Sequence, residues 1–77
     1  MTKEELLEQV CELVRQVTVA RFEGAAYAKL SRAHGYADGY MRALLDAGLT
    51  DRDTLLSAVA KARLEVIDKE SGARVAA

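Results

Sequence analysis

The chain has 77 residues, with eleven Lys or Arg against twelve Asp or Glu, one histidine, one cysteine and no proline. A net charge of −1 gives no electrostatic footprint for bulk binding to nucleic acid or to an anionic membrane. One cysteine excludes an intramolecular disulfide, and with a single histidine beside it there is no metal-ligand spacing, so neither a metal nor a cofactor is expected.

A chain this short buries only about 60% of the surface that its unfolded form exposes, so its core is marginal. Small domains compensate with disulfides, a metal or association, and association is the route left open here. The longest uncharged run, 54–60, makes about two helical turns and is interrupted by Ser57, so no membrane span is expected. The start Met1-Thr2-Lys3-Glu4-Glu5 is acidic rather than basic and no apolar core of a signal peptide follows, which makes the cytoplasm the expected location.

Thr2 followed by Glu5 is a capping box, so a first helix is expected from Lys3. At about 100° per residue, Leu6, Val10, Leu13, Val17 and Ala20 fall on one stripe flanked by Leu7 and Val14, with Glu4, Glu8, Glu12 and Arg15 opposite. The pattern degrades after Val19, where Arg21 lands on the stripe and Phe22 off it. A turn at Gly24 would reset the phase, because glycine tolerates the left-handed conformation that ends helices, and a continuous helix through Gly24 is the rival.

The second helix is expected over 25–47, with a core stripe of Ala26, Leu30, Ala33, Ala37, Met41 and Leu44 and with Tyr27, Tyr40 and Leu45 at its margins. Its opposite side holds Gly35 and Gly39 together with Ala25, Ala28 and Ala43. Each interior glycine costs roughly 1 kcal/mol against alanine, so a compensating role is expected. Small residues at four-residue spacing let two helix backbones approach, and a helix from another subunit packed on this strip is the preferred reading. A kink or break at Gly35 and a ligand pressed against the backbone are the alternatives.

Gly48 supplies the cap of the second helix and Leu49 packs back on its last turn. Thr50 is expected to start the third helix, with Asp51 and Asp53 near its positive end. That helix buries Leu55, Leu56, Val59, Ala62 and Val66, with Ile67 at the edge and Leu64 pointing away. The domain is expected to occupy 1–69, and the aperiodic tail 70–77 to fray. The end Arg74-Val75-Ala76-Ala77 is similar to small apolar C-termini recognised by bacterial unfolding proteases, but an uninformative tail is preferred.

Little catalytic chemistry is visible. His34 beside Asp38, one turn on, could act as a base or pH switch, yet a histidine satisfied by that carboxylate at an interface is the plainer reading. Cys11 lies near Glu8 and Glu12, which would raise its pKa and blunt its reactivity, leaving a small partly buried hydrophobe. Residues 41–66 have the outline of a helix-turn-helix. With Gly48 as its turn glycine, however, Leu44 falls where a small residue is needed, and Asp51 and Asp53 would face phosphates.

The expected architecture is all-α: a small three-helix unit, a helical hairpin closed by a third helix, assembled as a helical-bundle homo-oligomer. The expected function is a non-catalytic protein-protein interaction or oligomerisation module, with Phe22, Ala28, Gly35, Tyr36, Gly39, Tyr40 and Leu64 as contact residues. A small regulator binding nucleic acid through the Arg/Tyr-containing second helix is the alternative. Another protein, rather than nucleic acid or a membrane, is the expected partner.

Overall fold

The structure, a computed structural model, describes residues 1–76, and the side chains of residues 1–70. Three helices follow in order: α1 (Lys3–Phe22), α2 (Tyr27–Asp46) and α3 (Arg52–Ala76). The all-α expectation holds among the described residues. The backbone of α3 takes in 70–76 of the expected frayed tail, 70–77, while the side chains of 71–77, and with them the protease-like end, lie outside those described.

α1 opens on the capping box. The Thr2 hydroxyl oxygen accepts from the Glu5 N–H at 3.1 Å, and the Thr2 N–H donates to Glu5 Oε1 at 3.1 Å, so two donors that the helix leaves unpaired are satisfied together. Glu4 and Glu5 in the first turn and Arg21 in the last complement the helix dipole.

Both inter-helix turns rest on a glycine with positive φ. At Gly24 (φ 73°) the Gly24 N–H reaches the Arg21 carbonyl at 3.2 Å and the Ala25 N–H the Ala20 carbonyl at 3.0 Å. At Gly48 (φ 70°) the same two bonds run to Leu45 and Leu44, each at 3.0 Å. This is the Schellman arrangement, which a side chain with a Cβ would strain. The reset at Gly24 therefore occurs, and the rival continuous helix does not.

α2 is unbroken through Gly35 and Gly39, so the break considered at Gly35 is absent. Its start lies two residues later than expected, at Tyr27, and no side chain caps it: Ala26 occupies the cap position with φ −58° and ψ 145°. The start of α3 also differs from expectation. Asp51, not Thr50, is the cap, accepting from the Thr54 N–H at 2.8 Å on Oδ1 and from the Thr54 hydroxyl at 3.0 Å on Oδ2. The carboxylate offers two acceptors to the first turn where a Thr50 hydroxyl would offer one, and this holds the Asp51 pKa below the usual carboxylate range.

α1 is the shared packing surface. Val10, Val14 and Val17 are buried on it, and with Leu44 of α2 and Leu55, Val59 and Ala62 of α3 they fill the core. Leu13 and Ala20, expected on the stripe centre, are half-buried, because α1 is flanked by a helix on each side and its apolar face centres on Val14 instead. α1 and α3 run parallel: the Cys11 thiol meets the Ala58 carbonyl at 3.8 Å and Arg15 meets Glu65 at 3.2 Å. α2 and α3 each pack along α1 far more than against one another. Closure by the third helix thus occurs on α1 and not across the hairpin.

On α3 the buried set is Leu55, Val59, Ala62 and Val66. Leu56, expected in the core, is 60% exposed, since it lies about 100° around the helix from Leu55. Leu64 points outward as expected.

Two caps give direct tests. Ala26→Asp should stabilise the fold by about 1 kcal/mol, read as a higher thermal midpoint, because it supplies the missing side-chain acceptor at α2. Asp51→Ala should lower the midpoint at neutral pH. A carboxylate with a lowered folded-state pKa contributes stability that is present above its ordinary value, about 3.9. That contribution is lost as pH falls through the folded value, so the gap between wild type and Asp51→Ala should close on acidification.

Candidate functional site

Polar and charged groups from all three helices line one cleft. α1 contributes Thr18 and Arg21, α2 contributes His34 and Asp38, and α3 contributes Arg63, over a floor that includes Val14, Val17, Ala37 and Met41. His34 Nδ1 lies 3.0 Å from Asp38 Oδ2, one helical turn away, so the expected pairing is present. Both side chains are about half exposed, at 48% and 56%. The Thr18 hydroxyl donates to the Val14 carbonyl at 2.8 Å, which commits its proton to the backbone of its own helix.

The thiol is equally occupied. Cys11 is half-buried with its sulfur on the Ala58 carbonyl, and burial, seconded by Glu8, pushes its pKa up. A thiol whose thiolate is disfavoured is a poor nucleophile. Among the described residues, no group of three or more His, Cys, Asp or Glu side chains is placed to hold a metal.

Charge is distributed unevenly over this scaffold. Arg15 is held by Glu8 at 2.8 Å, Glu12 at 3.3 Å and Glu65 at 3.2 Å, and the Glu8 hydrogen bond leads these contacts in raising its pKa. Arg42 reaches Asp46 at only 3.9 Å on an open surface, a pair of little energetic weight. Arg21, Arg52 and Arg63 have no carboxylate within ion-pair distance among the described residues.

A longer groove continues from the cleft between α2 and α3. Met41 and Leu45 line it from α2, Leu55, Leu56 and Val59 from α3, and Arg52, Arg63 and Asp38 stand along it. It exists because the two helices pack on α1 and little on each other.

Two further features lie on the outside. On α2, Ala28, Gly35, Tyr36, Gly39 and Ala43 are all exposed on the side away from Ala37 and Leu44, and a Cβ placed on either glycine would meet no heavy atom within 4 Å. On α3, Leu56, Ala60, Leu64 and Ile67 form an outward apolar stripe, with Leu64 at 57% and Ile67 at 39% exposure. Of the expected contact residues, Ala28, Gly35, Tyr36 and Gly39 share the α2 strip, whereas Leu64 belongs to the α3 stripe. Tyr40 packs against the core cluster, and Phe22 is half-buried at the end of α1.

Sequence reading alone did not find the cleft or the groove. Arg21 and Arg63 are 42 positions apart and carry no local signal of convergence. The α3 stripe did have one, since 56, 60, 64 and 67 repeat at helical spacing. Comparison with protein-family models, with curated proteins and with solved structures gives no match.

The occupied thiol gives a prediction: in the native protein Cys11 should react with a thiol reagent at neutral pH well below the rate of the same cysteine in the unfolded chain. Equal rates, followed by absorbance, would show that the Ala58 contact and burial protect nothing.

Proposed function

We propose that this chain is a non-catalytic helical association module, in which the α3 stripe of one copy packs on the small-residue strip of α2 of another. The observation that carries the reading is a pair of opposite reliefs on one molecule. α3 presents Leu56, Leu64 and Ile67 to the outside, and α2 presents Gly35 and Gly39 with open space where side chains would stand. Large side chains laid over a glycine and alanine strip bring two helices close and remove the exposed leucines from water.

Charge supports the same pairing. Arg32 stands among the strip residues of α2, between Ala28 and Gly35, and Arg42 stands at the strip's edge, while Asp53 precedes the α3 stripe and Asp68 follows it at its edge by helical position. Arg32, Asp53 and Asp68 form no ion pair among the described residues. Tyr36, 64% exposed beside the strip, is a residue type favoured at interfaces. The thermodynamic motive is the small core: the buried set holds only valine, alanine and two leucines, with no aromatic side chain among them. A chain with so little to bury gains from a second copy.

Light scattering across a concentration series tests this with wild type, Gly39→Leu and Leu64→Glu, each checked for helicity. Wild type should exceed the single-chain mass of 8.4 kDa, and both variants should fall toward it, because one fills the strip and the other charges the stripe. A wild-type mass of one chain at every concentration refutes the proposal, as does an oligomer that neither substitution weakens.

A further inference from the structure

We infer that the groove between α2 and α3 is a docking site for an amphipathic helix of another protein, one that carries carboxylates along the edges of its apolar face. The site is separate from the strip and stripe assigned to self-association, with Leu56 alone on the ridge between groove and stripe.

The shape argues for a helix. Arg52 and Arg63 lie eleven residues apart on α3, a length of about 16 Å or three helical turns. Between them Met41 and Leu45 face Leu55 and Val59, so the walls are two helices and the floor is apolar. An amphipathic helix that lays residues at i, i+4 and i+7 into such a groove would complete a bundle around α1.

The charge selects the partner. Arg52 and Arg63 stand along the groove and Arg21 stands in the adjoining cleft, none of them with a carboxylate partner among the described residues. Asp38, which lines the groove, faces His34 at 3.0 Å, and Asp46, beside the groove's Arg52 end, faces Arg42 at 3.9 Å. Elsewhere on the same fold, Arg15 is supplied with three carboxylates. Exposed guanidinium groups without an ion-pair partner, flanking an apolar floor, are complementary to aliphatic side chains bordered by glutamates, and their planar forks suit carboxylates in particular. A second copy of this chain cannot be that ligand while folded. Its glutamate-rich helix, α1, already spends its apolar face on Val10, Val14 and Val17 in the core.

The probe is a synthetic peptide of about 15 residues, long enough to form a helix when bound, with leucines at i, i+4, i+7 and i+11 and glutamates between them. A twin peptide carries lysines in place of the glutamates, and a short random-sequence DNA duplex serves as a third probe. Binding is read by titration calorimetry and by methyl chemical shifts of Met41, Leu45, Leu55 and Val59. The glutamate peptide should bind and move those methyls, and the lysine peptide should bind at least roughly tenfold more weakly. The double variant Arg52→Glu and Arg63→Glu, altered only at exposed positions, should invert that preference. Leu64→Glu should leave peptide affinity unchanged, so failure of self-association and failure of docking give different patterns. Equal affinity for the two peptides, shifts located outside the groove, or displacement of the glutamate peptide by DNA would each overturn the inference, the last in favour of nucleic acid.

Discussion

Everything in this molecule depends on the apolar face of α1. Val10, Val14 and Val17 are spaced by four and three residues, so they rise in one line along the helix, and the half-buried Leu6, Leu7 and Cys11 widen that line. A face this wide accepts two neighbours at once. α2 and α3 satisfy their own apolar stripes against it and have little left to offer each other. The groove between them is therefore a consequence of how apolar surface is distributed along the chain: α1 is rich enough for two partners, and the second apolar stripe of α3 faces outward rather than toward α2.

The electrostatics follow from the same layout. α1 and α3 run parallel, so a residue on one meets a residue roughly fifty positions later on the other, and this brings Arg15 to Glu65 while Glu8 and Glu12 come from its own helix. An exposed pair contributes little, and of these three contacts only Arg15 with Glu65 joins the two helices, so the network follows the register that the core packing sets. Two of the acids of α1, Glu8 and Glu12, are committed there. On the other side of the molecule, Arg52 and Arg63 lack carboxylate partners among the described residues, so a net charge near zero over the whole chain coexists with unpaired arginines beside the groove.

Punctuation was the most legible part of the sequence because it is local chemistry. The Thr2 and Glu5 box and the Schellman glycines Gly24 and Gly48 involve residues at most five apart, and each appears in the structure as its residue types require. Where two local solutions competed, the reading erred: Thr50 and Asp51 are both capping residues, and the one with two acceptor oxygens won. Leu56 shows a different limit. It lies beside the α3 core stripe on a helical wheel, and only the position of α1 decides that Leu55 turns inward and Leu56 does not. The cleft of Arg21, His34 and Arg63 was illegible because it joins three helices through tertiary packing, although its His34 and Asp38 component, one turn apart, could be read directly.

The glycines of α2 can now be placed in this scheme. Gly24 and Gly48 are required by backbone conformation, but Gly35 and Gly39 have ordinary helical backbone and open space around them, so nothing among the described residues accounts for them. An interior glycine lowers the stability of an isolated helix, and α2 is also the helix whose start lacks a side-chain cap. The weakest of the three helices is thus the one with the barest outer face. A helix stabilised chiefly by what packs on it gains most from being covered, and its order then depends on association more than that of α1, whose caps and core contacts lie within the chain. In this fold the uncapped start and the interior glycines place marginal stability on the helix that forms both the strip and one wall of the groove.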